Sequence, residues 1–495
     1  MNSHRVVVIG AGLAGCCAAL EAAKRDFNVT LIDEHPQAPS SMSLDAPYFY
    51  GARLPATLSD AGAVADRVLG ANALLLDCLD AGVEVLTNTC VWANLMPGPN
   101  LLYTDEKRLG LADGERSWFL PYDDLIIATG ARDLVLSFPG WQLPGVLGAQ
   151  AAGALLTRYQ ALGGTKAVVL GSGNVGLRLA RQLLDAGIEV AAVVEVAASV
   201  RGDPALQAGL VAAGVAFHTS SVIDSAIGEQ QVRAVRVCAL DQQGLPVPGS
   251  EECIDCDTVC IAIGVVPNLE LAAQSGCKAT YDAARGGWVP ETDDCGRSSL
   301  EHIYVVGEAA GVCDKGVLDS VQHLERARRA AVAIGTPQGA EWKPTTASAA
   351  APLAADAPNE WLRALLAQGG LSVVLCQCEE VTRGEYIALE APRYLQPSER
   401  RRAGPIDASN RASQDFVKRM TRCGMGHCQG RRCRDHAALL LAHANGQPVG
   451  SIVPGSFRAP VRPLPLSAIA GPDESEAVSR TWPIWFQPLN EGEMG

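Results

Sequence analysis

Two copies of one short glycine pattern constrain the fold of this 495-residue chain more than any other feature. In the first copy, residues 5–9, which contain the apolar run 6–9, lead into Gly10-Ala-Gly-Leu-Ala-Gly15, an Ala-rich stretch and a second apolar run at 29–32. Residues 166–195 repeat this order around Gly171-Ser-Gly-Asn-Val-Gly176. A buried strand, a tight turn, a helix and a second strand account for each copy. The repeat therefore predicts two βαβ units of the kind that bind dinucleotides.

The glycines and acids of the first unit each have a place in such a site. Gly10 permits the sharp turn, Gly12 lets the backbone approach a pyrophosphate, and Gly15 lets the helix pack against the strand. The helix N-terminus then presents free N–H groups to the phosphates. Asp33 and Glu34 follow the second strand, where a carboxylate accepts hydrogen bonds from a ribose diol.

The second unit repeats this geometry with Gly171, Gly173 and Gly176, and with Asn174 in the turn. Glu195 follows its second strand and is placed to bind a ribose 2′-hydroxyl. A carboxylate there favours NAD over NADP, because it repels a 2′-phosphate. Such a domain can also persist as a scaffold after losing its nucleotide, so both interpretations stay open.

Composition and charge limit the classes of function. The chain is 48% hydrophobic and 19% charged, which allows large cores and excludes a mainly disordered protein. Its net charge of −14 gives no footprint for nucleic acid. No uncharged apolar run reaches the ~18 residues that span a bilayer, although peripheral membrane association stays open. The apolar run 6–9 leads into a glycine turn rather than a cleavage site, so we expect a cytoplasmic protein with reduced thiols.

Five of the sixteen cysteines lie between residues 376 and 433. Cys376-Gln-Cys378 and Cys428-Gln-Gly-Arg-Arg-Cys433 form two close pairs, which can enclose a [2Fe–2S] cluster or a tetrahedral zinc ion. The spacing favours the cluster, because structural zinc sites more often use CxxC pairs. Cys423 is interpreted as a nearby non-ligand.

Elsewhere the cysteines do not predict a redox-active disulfide. Residues 36–50, which follow the first acid, contain no cysteine. Cys253 and Cys256 form a CxxC motif, but they run into an apolar strand and are expected to be small buried side chains. Disulfide reduction is therefore not expected.

Three later motifs give the chain a family resemblance. Residues 122–130 end in Ala-Thr-Gly, residues 260–268 form a counterpart in the second half, and residues 303–308 contain Gly-Glu. In this order they resemble the flavoproteins with two dinucleotide domains. The resemblance implies FAD in the first unit and a nicotinamide nucleotide in the second. It adds these FAD contacts: Ala14, Val91, Ala128, Thr129, Gly130, Gly307 and Glu308.

The C-terminal cysteines resemble a more specific group. Residues 376–383 and 417–433 are similar to the bacterioferritin-associated-ferredoxin-type [2Fe–2S] domain in the α (A) subunits of hetero-oligomeric amine dehydrogenases; 138–146 and 457–466 match the same group. Its members are opine oxidases, D-hydroxyproline dehydrogenase, the B subunit of hydrogen cyanide synthase, dye-linked L-proline dehydrogenase and the sarcosine oxidase α subunit. The resemblance implies Cys376, Cys378, Cys428 and Cys433 as cluster ligands. It also implies that the partner is a β subunit that contains FAD, with an optional small γ subunit.

The expected fold class is α/β, with two Rossmann-like domains of the glutathione-reductase type and a small C-terminal helical [2Fe–2S] domain. The expected boundaries are 1–150 and 285–335 for a discontinuous FAD domain, 151–284 for the NAD-type domain, 336–365 for a linker, 366–450 for the [2Fe–2S] domain and 451–495 for an extended tail.

By resemblance, the function is electron transfer within an amino-acid, imino-acid or opine dehydrogenase complex, from the flavin of a partner through FAD and [2Fe–2S] to an acceptor. The alternative is a self-sufficient NAD(P)H-dependent reductase of a protein acceptor, and a third hypothesis is a scaffold without enzymatic activity. No motif identifies a catalytic base, and the substrate, the stoichiometry and the terminal acceptor stay open.

Overall fold

The structure is a computed structural model that describes residues 4–35, 61–70, 72–97, 106–312, 320–336, 342–345, 356–389, 413–464 and 466–469. The strands in these ranges are β1 Arg5–Ile9, β2 Asn28–Ile32, β3 Glu84–Leu86, β4 Cys90–Leu95, β5 Arg108–Ala112, β6 Ser117–Pro121, β7 Asp124–Ile127, β8 Ala131–Asp133, β9 Val146–Gly148, β10 Lys166–Leu170, β11 Glu189–Val194, β12 Ala216–His218, β13 Ser221–Gly228, β14 Val232–Ala239, β15 Glu252–Asp255, β16 Thr258–Ile261, β17 Val265–Pro267, β18 Ala279–Asp282, β19 Gly287–Pro290, β20 Ile303–Val305, β21 Val374–Cys376 and β22 Val381–Thr382. The helices are α1 Leu13–Ala23, α2 Ala61–Gly70, α3 Ala73–Asp80, α4 Ala149–Thr157, α5 Asn174–Asp185, α6 Pro204–Ala212, α7 Glu270–Gln274, α8 Ser320–Ala333, α9 Ala357–Gly369, α10 Arg383–Ala388, α11 Gln414–Thr421, α12 Arg434–Asn445 and α13 Leu466–Ile469.

A five-stranded parallel sheet contains the first βαβ unit. Its strand order is β20-β7-β1-β2-β3. The last residue of β1, Ile9, pairs with Ile32 of β2 and Ile127 of β7, so the carboxyl ends of the three strands meet at one edge. Ligands of open α/β sheets bind at this edge.

A second parallel sheet repeats the arrangement in the order β12-β11-β10-β16-β9. Leu170 at the end of β10 pairs with Val194 and Ile261, as Ile9 does in the first sheet. Antiparallel sheets, β4-β5-β6 and β13-β14-β15, accompany the two parallel ones. The expected α/β class with two dinucleotide-type folds is confirmed.

Helix α9 corrects one expected boundary. Residues 336–365 were predicted as a linker, yet α9 covers Ala357–Gly369 and buries Trp361, Leu362 and Leu365 in the core beneath the second sheet. These residues have the spacing of an apolar helix face, which the Ala- and Pro-rich composition of the preceding stretch obscured. Residues 357–365 are therefore part of the folded structure; residues 337–341 and 346–355 of the predicted linker lie outside the described residues.

The region that carries the clustered cysteines joins the rest of the chain through a buried arginine. Thr382 caps α10 in a reciprocal capping box with Glu385. Arg383 is fully buried and donates to the carbonyl oxygens of Leu365, Gly370 and Ser137. These bonds tie the start of α10 to the end of α9 and to the segment after β8.

The described part of the tail contacts the first half of the molecule. The backbone N–H of Val461 donates to the carbonyl oxygen of Trp92 in β4 at 2.8 Å. Arg462 forms an ion pair with Glu34. Within the described ranges, every helix is too short or too polar to cross a membrane.

Candidate functional site

The first glycine turn has the close contacts that its sequence predicts. Gly10 has φ +103°, and a Cβ there would collide with the carbonyl oxygen of Ala128. A Cβ at Gly15 would collide with the carbonyl oxygen of Gly10. By contrast, none of the described atoms lies within 4 Å of the position that a Cβ at Gly12 would take. The turn therefore packs tightly on its inner side and leaves room at the N-terminus of α1.

The acid after β2 is held by backbone donors. Asp33 accepts from the N–H of Ala11 at 2.6 Å and from the N–H of His35 at 2.8 Å. A carboxylate has about four acceptor positions. Since these two bonds are the ones formed within the described ranges, acceptor capacity remains for a ribose diol.

Glu34, unlike Asp33, has an arginine partner from the tail. Burial raises the pKa of Glu34, but attraction from Arg462 and His35 outweighs this effect and leaves the pKa below its usual value. Its carboxylate is therefore engaged by the tail. Val91 lies nearby on β4, where it is buried and pairs with Leu111 of β5.

The motif at 128–130 lies beside the first glycine turn and is fixed by one asparagine. Asn268 donates from its side chain to the carbonyl oxygen of Thr129 at 2.8 Å and from its backbone to that of Gly130 at 3.0 Å. Thr129 Oγ1 donates back to the carbonyl oxygen of Asn268 at 3.2 Å. The loop before α7 thus holds the Ala-Thr-Gly turn in place.

The late Gly-Glu motif reaches the start of α1. A Cβ at Gly307, which has φ +66°, would lie 2.9 Å from the Cβ of Ala14. Glu308 is the next residue, and burial raises the pKa of its carboxyl group. The structure therefore brings Ala14, Gly307 and the first glycine turn together at one edge of the sheet.

The second glycine turn repeats the first in its backbone. A Cβ at Gly171 would collide with the carbonyl oxygen of Ala262, and one at Gly176 with that of Gly171. Gly173, like Gly12, has no described atom within 4 Å of its Cβ position. Asn174 begins α5 and accepts from the N–H of Asp203 at 2.9 Å.

In the second unit, however, hydrogen-bond donors already occupy the carboxylate of Glu195. Glu195 is 1% exposed and accepts from Ser172 N–H at 2.9 Å, Ser172 Oγ at 2.8 Å, Ala197 N–H at 3.0 Å and Arg201 Nε at 3.1 Å. Arg201 also pairs with Glu360 of α9. Four donors use the acceptor positions that a ribose diol would need.

The clustered cysteines come together as two groups of thiols. The sulfur atoms of Cys376, Cys423 and Cys433 lie within 4.8 Å of one another, and all three residues are buried. Cys378 and Cys428 share a hydrogen bond. Hydrogen bonds from Cys423 and Cys433 lower the pKa of Cys376 to about 3, and the bond to Cys378 lowers the pKa of Cys428 to about 6. Thiolates of this kind are the form that binds metals.

Cys423, which was interpreted from the sequence as a nearby non-ligand, lies within this group of thiols. Its Sγ lies 3.9 Å from that of Cys433. The glycines that follow explain the proximity: Gly424 has φ +82°, and a Cβ there would lie 3.9 Å from Cys433 Sγ. In the sequence, the glycine that directly follows Cys423 was the available signal that this thiol could turn into the site.

Comparison with known proteins identifies the nucleotide-binding part. Residues 4–333 match the family described as pyridine nucleotide-disulphide oxidoreductase. The chain belongs to this family. Residues 408–472 separately match the family described as the sarcosine oxidase A3 domain.

Several curated relatives are similar to this chain over nearly its whole length. The A subunit of opine oxidase from Rhizobium meliloti is 27% identical over 507 residues, covering 94% of this chain and 87% of the relative. The HcnB subunit of hydrogen cyanide synthase from Pseudomonas aeruginosa is 27% identical over 516 residues, covering 94% and 98%. The alpha subunit of sarcosine oxidase from Corynebacterium sp. is 24% identical over 501 residues, covering 98% of this chain and 47% of the relative.

Among solved structures, L-proline dehydrogenase from P. horikoshii has a similar fold, with a TM-score of 0.61 and 19% identity over 95% of this chain and 81% of that one. The predicted resemblance to the A and alpha subunits is confirmed. Relatives named as subunits belong to assemblies of more than one chain.

The described residues fit the cofactors that this family implies. Pyridine nucleotide-disulphide oxidoreductases bind FAD and NAD(P). The open space at Gly12, the helix N-terminus behind it and the spare capacity of Asp33 fit a dinucleotide in the first unit. The buried thiols fit a soft-metal centre.

Disulfide chemistry, which the family name includes, is not favoured by Cys253 and Cys256. The expectation that both are buried is wrong for Cys253, which is exposed, and correct for Cys256, where burial raises the pKa of the thiol to about 12. Residues 36–50 lie outside the described residues.

Proposed function

We propose that this chain is the electron-transferring flavoprotein and iron–sulfur subunit of an amino-acid, imino-acid or opine dehydrogenase complex. It receives electrons from the flavin of a partner β subunit, then passes them through FAD and a [2Fe–2S] cluster to an acceptor. The observation that carries this proposal is the group of buried thiols around Cys376 and Cys433, which occurs in a chain of a dinucleotide-binding family. The assembly is expected in the cytoplasm, with an optional small γ subunit.

FAD would be held in the first unit. Gly10, Gly12 and Gly15 shape the turn, and Asp33 binds the ribose. The remaining FAD contacts are Ala14, Glu34, Val91, Ala128, Thr129, Gly130, Gly307 and Glu308. Their role is to bind and orient the flavin, since the amine is oxidised on the partner subunit in this proposal.

The cluster would be held by Cys376, Cys378, Cys428 and Cys433, and the position of Cys423 makes it a competing ligand. A flavin takes up electrons in pairs and a [2Fe–2S] centre passes them singly. Together in one chain they would convert the two-electron oxidation of an amine into single-electron transfer.

The test is to purify the chain under nitrogen and measure flavin, iron and acid-labile sulfide. Cys428→Ser and Cys433→Ser are expected to abolish the absorbance of the cluster and to leave FAD bound, since the two sites use different residues. Cys423→Ser decides whether the fifth thiol is a ligand, and Cys253→Ser, which changes an exposed thiol, is the matched control. Retention of iron and sulfide in both ligand variants would contradict the assignment.

The alternative, a self-sufficient NAD(P)H-dependent reductase, has the intact backbone of the second glycine turn in its favour. NADH would then bleach the flavin of the isolated chain. In the main proposal, bleaching requires the partner chain and its amine substrate. The saturated carboxylate of Glu195 supports the main proposal.

A further inference from the structure

Arg132 lies two residues beyond the Ala-Thr-Gly turn, on the short strand β8. Its side chain is 19% exposed, so its guanidinium group is mostly withdrawn from water. A buried guanidinium is costly unless its N–H groups find acceptors and its charge is balanced. The acceptors of Arg132 come from two separate regions of the chain.

One set of acceptors belongs to the loop before α7, which holds the Ala-Thr-Gly turn at 128–130. Arg132 Nη1 donates to Asn268 Oδ1 at 3.1 Å and to the carbonyl oxygen of Pro267 at 3.2 Å. Asn268 is the residue that donates to the carbonyl oxygens of Thr129 and Gly130. Arg132 therefore supports the turn through Asn268.

The other set belongs to the loop between two predicted cluster ligands. Arg132 Nε donates to the carbonyl oxygen of Arg431 at 3.0 Å, and Nη2 donates to Asp435 Oδ2 at 2.8 Å. Arg431 lies between Cys428 and Cys433, and its backbone N–H donates to the carbonyl oxygen of Cys428 at 3.1 Å. One side chain thus connects the loop that holds the Ala-Thr-Gly turn to the loop between Cys428 and Cys433.

The charges around this connection are balanced. Glu270 of α7 lies 3.0 Å from Arg132 and 3.5 Å from Arg434, and Asp435 pairs with Arg132. Two cations therefore face two carboxylates. Removing Arg132 leaves both carboxylates facing Arg434 alone, which should loosen this junction.

We propose that Arg132 is a positioning residue that holds the Cys428–Cys433 loop against the Thr129–Gly130 turn and so fixes the separation of the flavin and cluster sites. The inference rests on the proposed function for the identity of the two groups. The contacts themselves involve only residues of this chain. Electron transfer between the sites should then depend on Arg132, whose own hydrogen bonds in the described residues go to protein acceptors.

The experiment compares R132M and R132K with R297M in the purified protein. Arg297 is the control because it also donates to backbone carbonyl oxygens, those of Ala333 and Thr336, at a distance from the cysteine loop in the chain. The first readout is amide hydrogen exchange of segments 126–133 and 424–435. The second is the rate at which the cluster is reduced after photoreduction of the flavin, with flavin and iron content measured for each variant.

In R132M we expect faster exchange in both segments and cluster reduction slowed by about tenfold or more, since small misplacements of reacting groups are costly. R132K keeps the charge of Arg132 but lacks the planar guanidinium group. Its increase in exchange and its loss of transfer rate should therefore both be smaller than those of R132M. R297M should match the wild type. The inference would be overturned if amide exchange and cluster reduction in R132M stay within about twofold of the wild-type rates. A twofold change is smaller than the interaction energy that residues in contact usually share. If R132M does not accumulate, R132K decides: faster exchange in both segments supports the inference, and wild-type exchange overturns it.

The proposed function can fail separately. If the wild-type chain carries no flavin or no iron and sulfide, that function is wrong. Amide exchange of the two segments still tests the positioning role of Arg132, because the contacts that carry it need neither group.

Discussion

The two glycine turns have the same backbone and differ at the acid that follows. In each, the first glycine packs against a strand-end carbonyl and the third packs against the first, while no atom of the described residues lies within 4 Å of a Cβ at the second. Asp33 accepts two backbone N–H groups, whereas Glu195 accepts four donors, one of them from Arg201. A glycine fingerprint therefore reports the shape of a turn. The capacity to bind a ribose depends instead on how many hydrogen-bond donors the carboxylate after the second strand already accepts.

The largest expected effect comes from filling the third glycine of either turn. Gly15→Val and Gly176→Val each place a side chain against a backbone carbonyl, and each should cost about 3 kcal/mol or more of stability. Only Gly15→Val should also release FAD, because only the first turn is proposed to bind it. Thermal unfolding and flavin content measure the two effects. Equal loss of flavin from Gly176→Val would show that the turns are not independent.

A smaller effect is expected from the two acids. Asp33→Asn should weaken FAD binding by about 10- to 100-fold, the equivalent of one hydrogen bond to a charged group. Its matched variant, Glu195→Gln, should leave the Kd for FAD unchanged and lower the stability of the second domain by about 1–3 kcal/mol, because it weakens the ion pair with Arg201. Titration of the apoprotein with FAD checks both. An unchanged Kd in Asp33→Asn would remove Asp33 from the proposed site.

Removing Arg201 would make the carboxylate of the second unit more like that of the first, because Glu195 would then accept one donor fewer. Arg201→Met should free one acceptor position on Glu195, so affinity for NAD should rise by about 2- to 10-fold, the worth of one net hydrogen bond. NADH fluorescence titration measures the change. Arg236, which pairs with Asp224 on the second antiparallel sheet, is the control position. If NAD binds the wild type tightly and Arg201→Met does not improve it, the saturation of Glu195 does not limit binding.

The smallest effect concerns the tail beside the first turn. The pKa of Glu34 lies below its usual 4.5, so the pair with Arg462 contributes stability above that pH. This contribution should be lost as the pH falls below 4.5 and through the lowered pKa. Limited proteolysis of the tail between pH 6 and pH 3 should show the transition, and Arg462→Met should abolish it. Arg458→Met, at an exposed position in the same segment, should not.

The sequence predicts the elements whose causes are local. The buried runs at 5–9 and 166–170, the glycine turns and the acids at strand ends all lie within one βαβ unit, and the structure places them as expected. Helix α9 was missed because its apolar face, around Trp361, follows a stretch of Ala and Pro that suggested a linker.

Features that depend on distant residues could not be predicted. Arg201 reaches Glu195 from the same loop but is held by Glu360, 159 positions away. Arg132 donates hydrogen bonds to residues 268 and 431, and no local sequence pattern predicts contacts between such distant parts of the chain. Cys423 was interpreted from the sequence as a nearby non-ligand, whereas the structure places its sulfur atom 3.9 Å from that of Cys433.

The burial of Trp361 has a consequence for how electrons could leave the molecule. Trp361 is 1% exposed and shares a core cluster with Val259 of β16 and Leu439 of α12. A thiol-bearing module anchored in this way cannot swing on a tether between donor and acceptor, as mobile carrier domains do. In the proposed complex, redox partners would therefore dock on its surface, and the rate of exchange with them should depend on their concentration and on ionic strength.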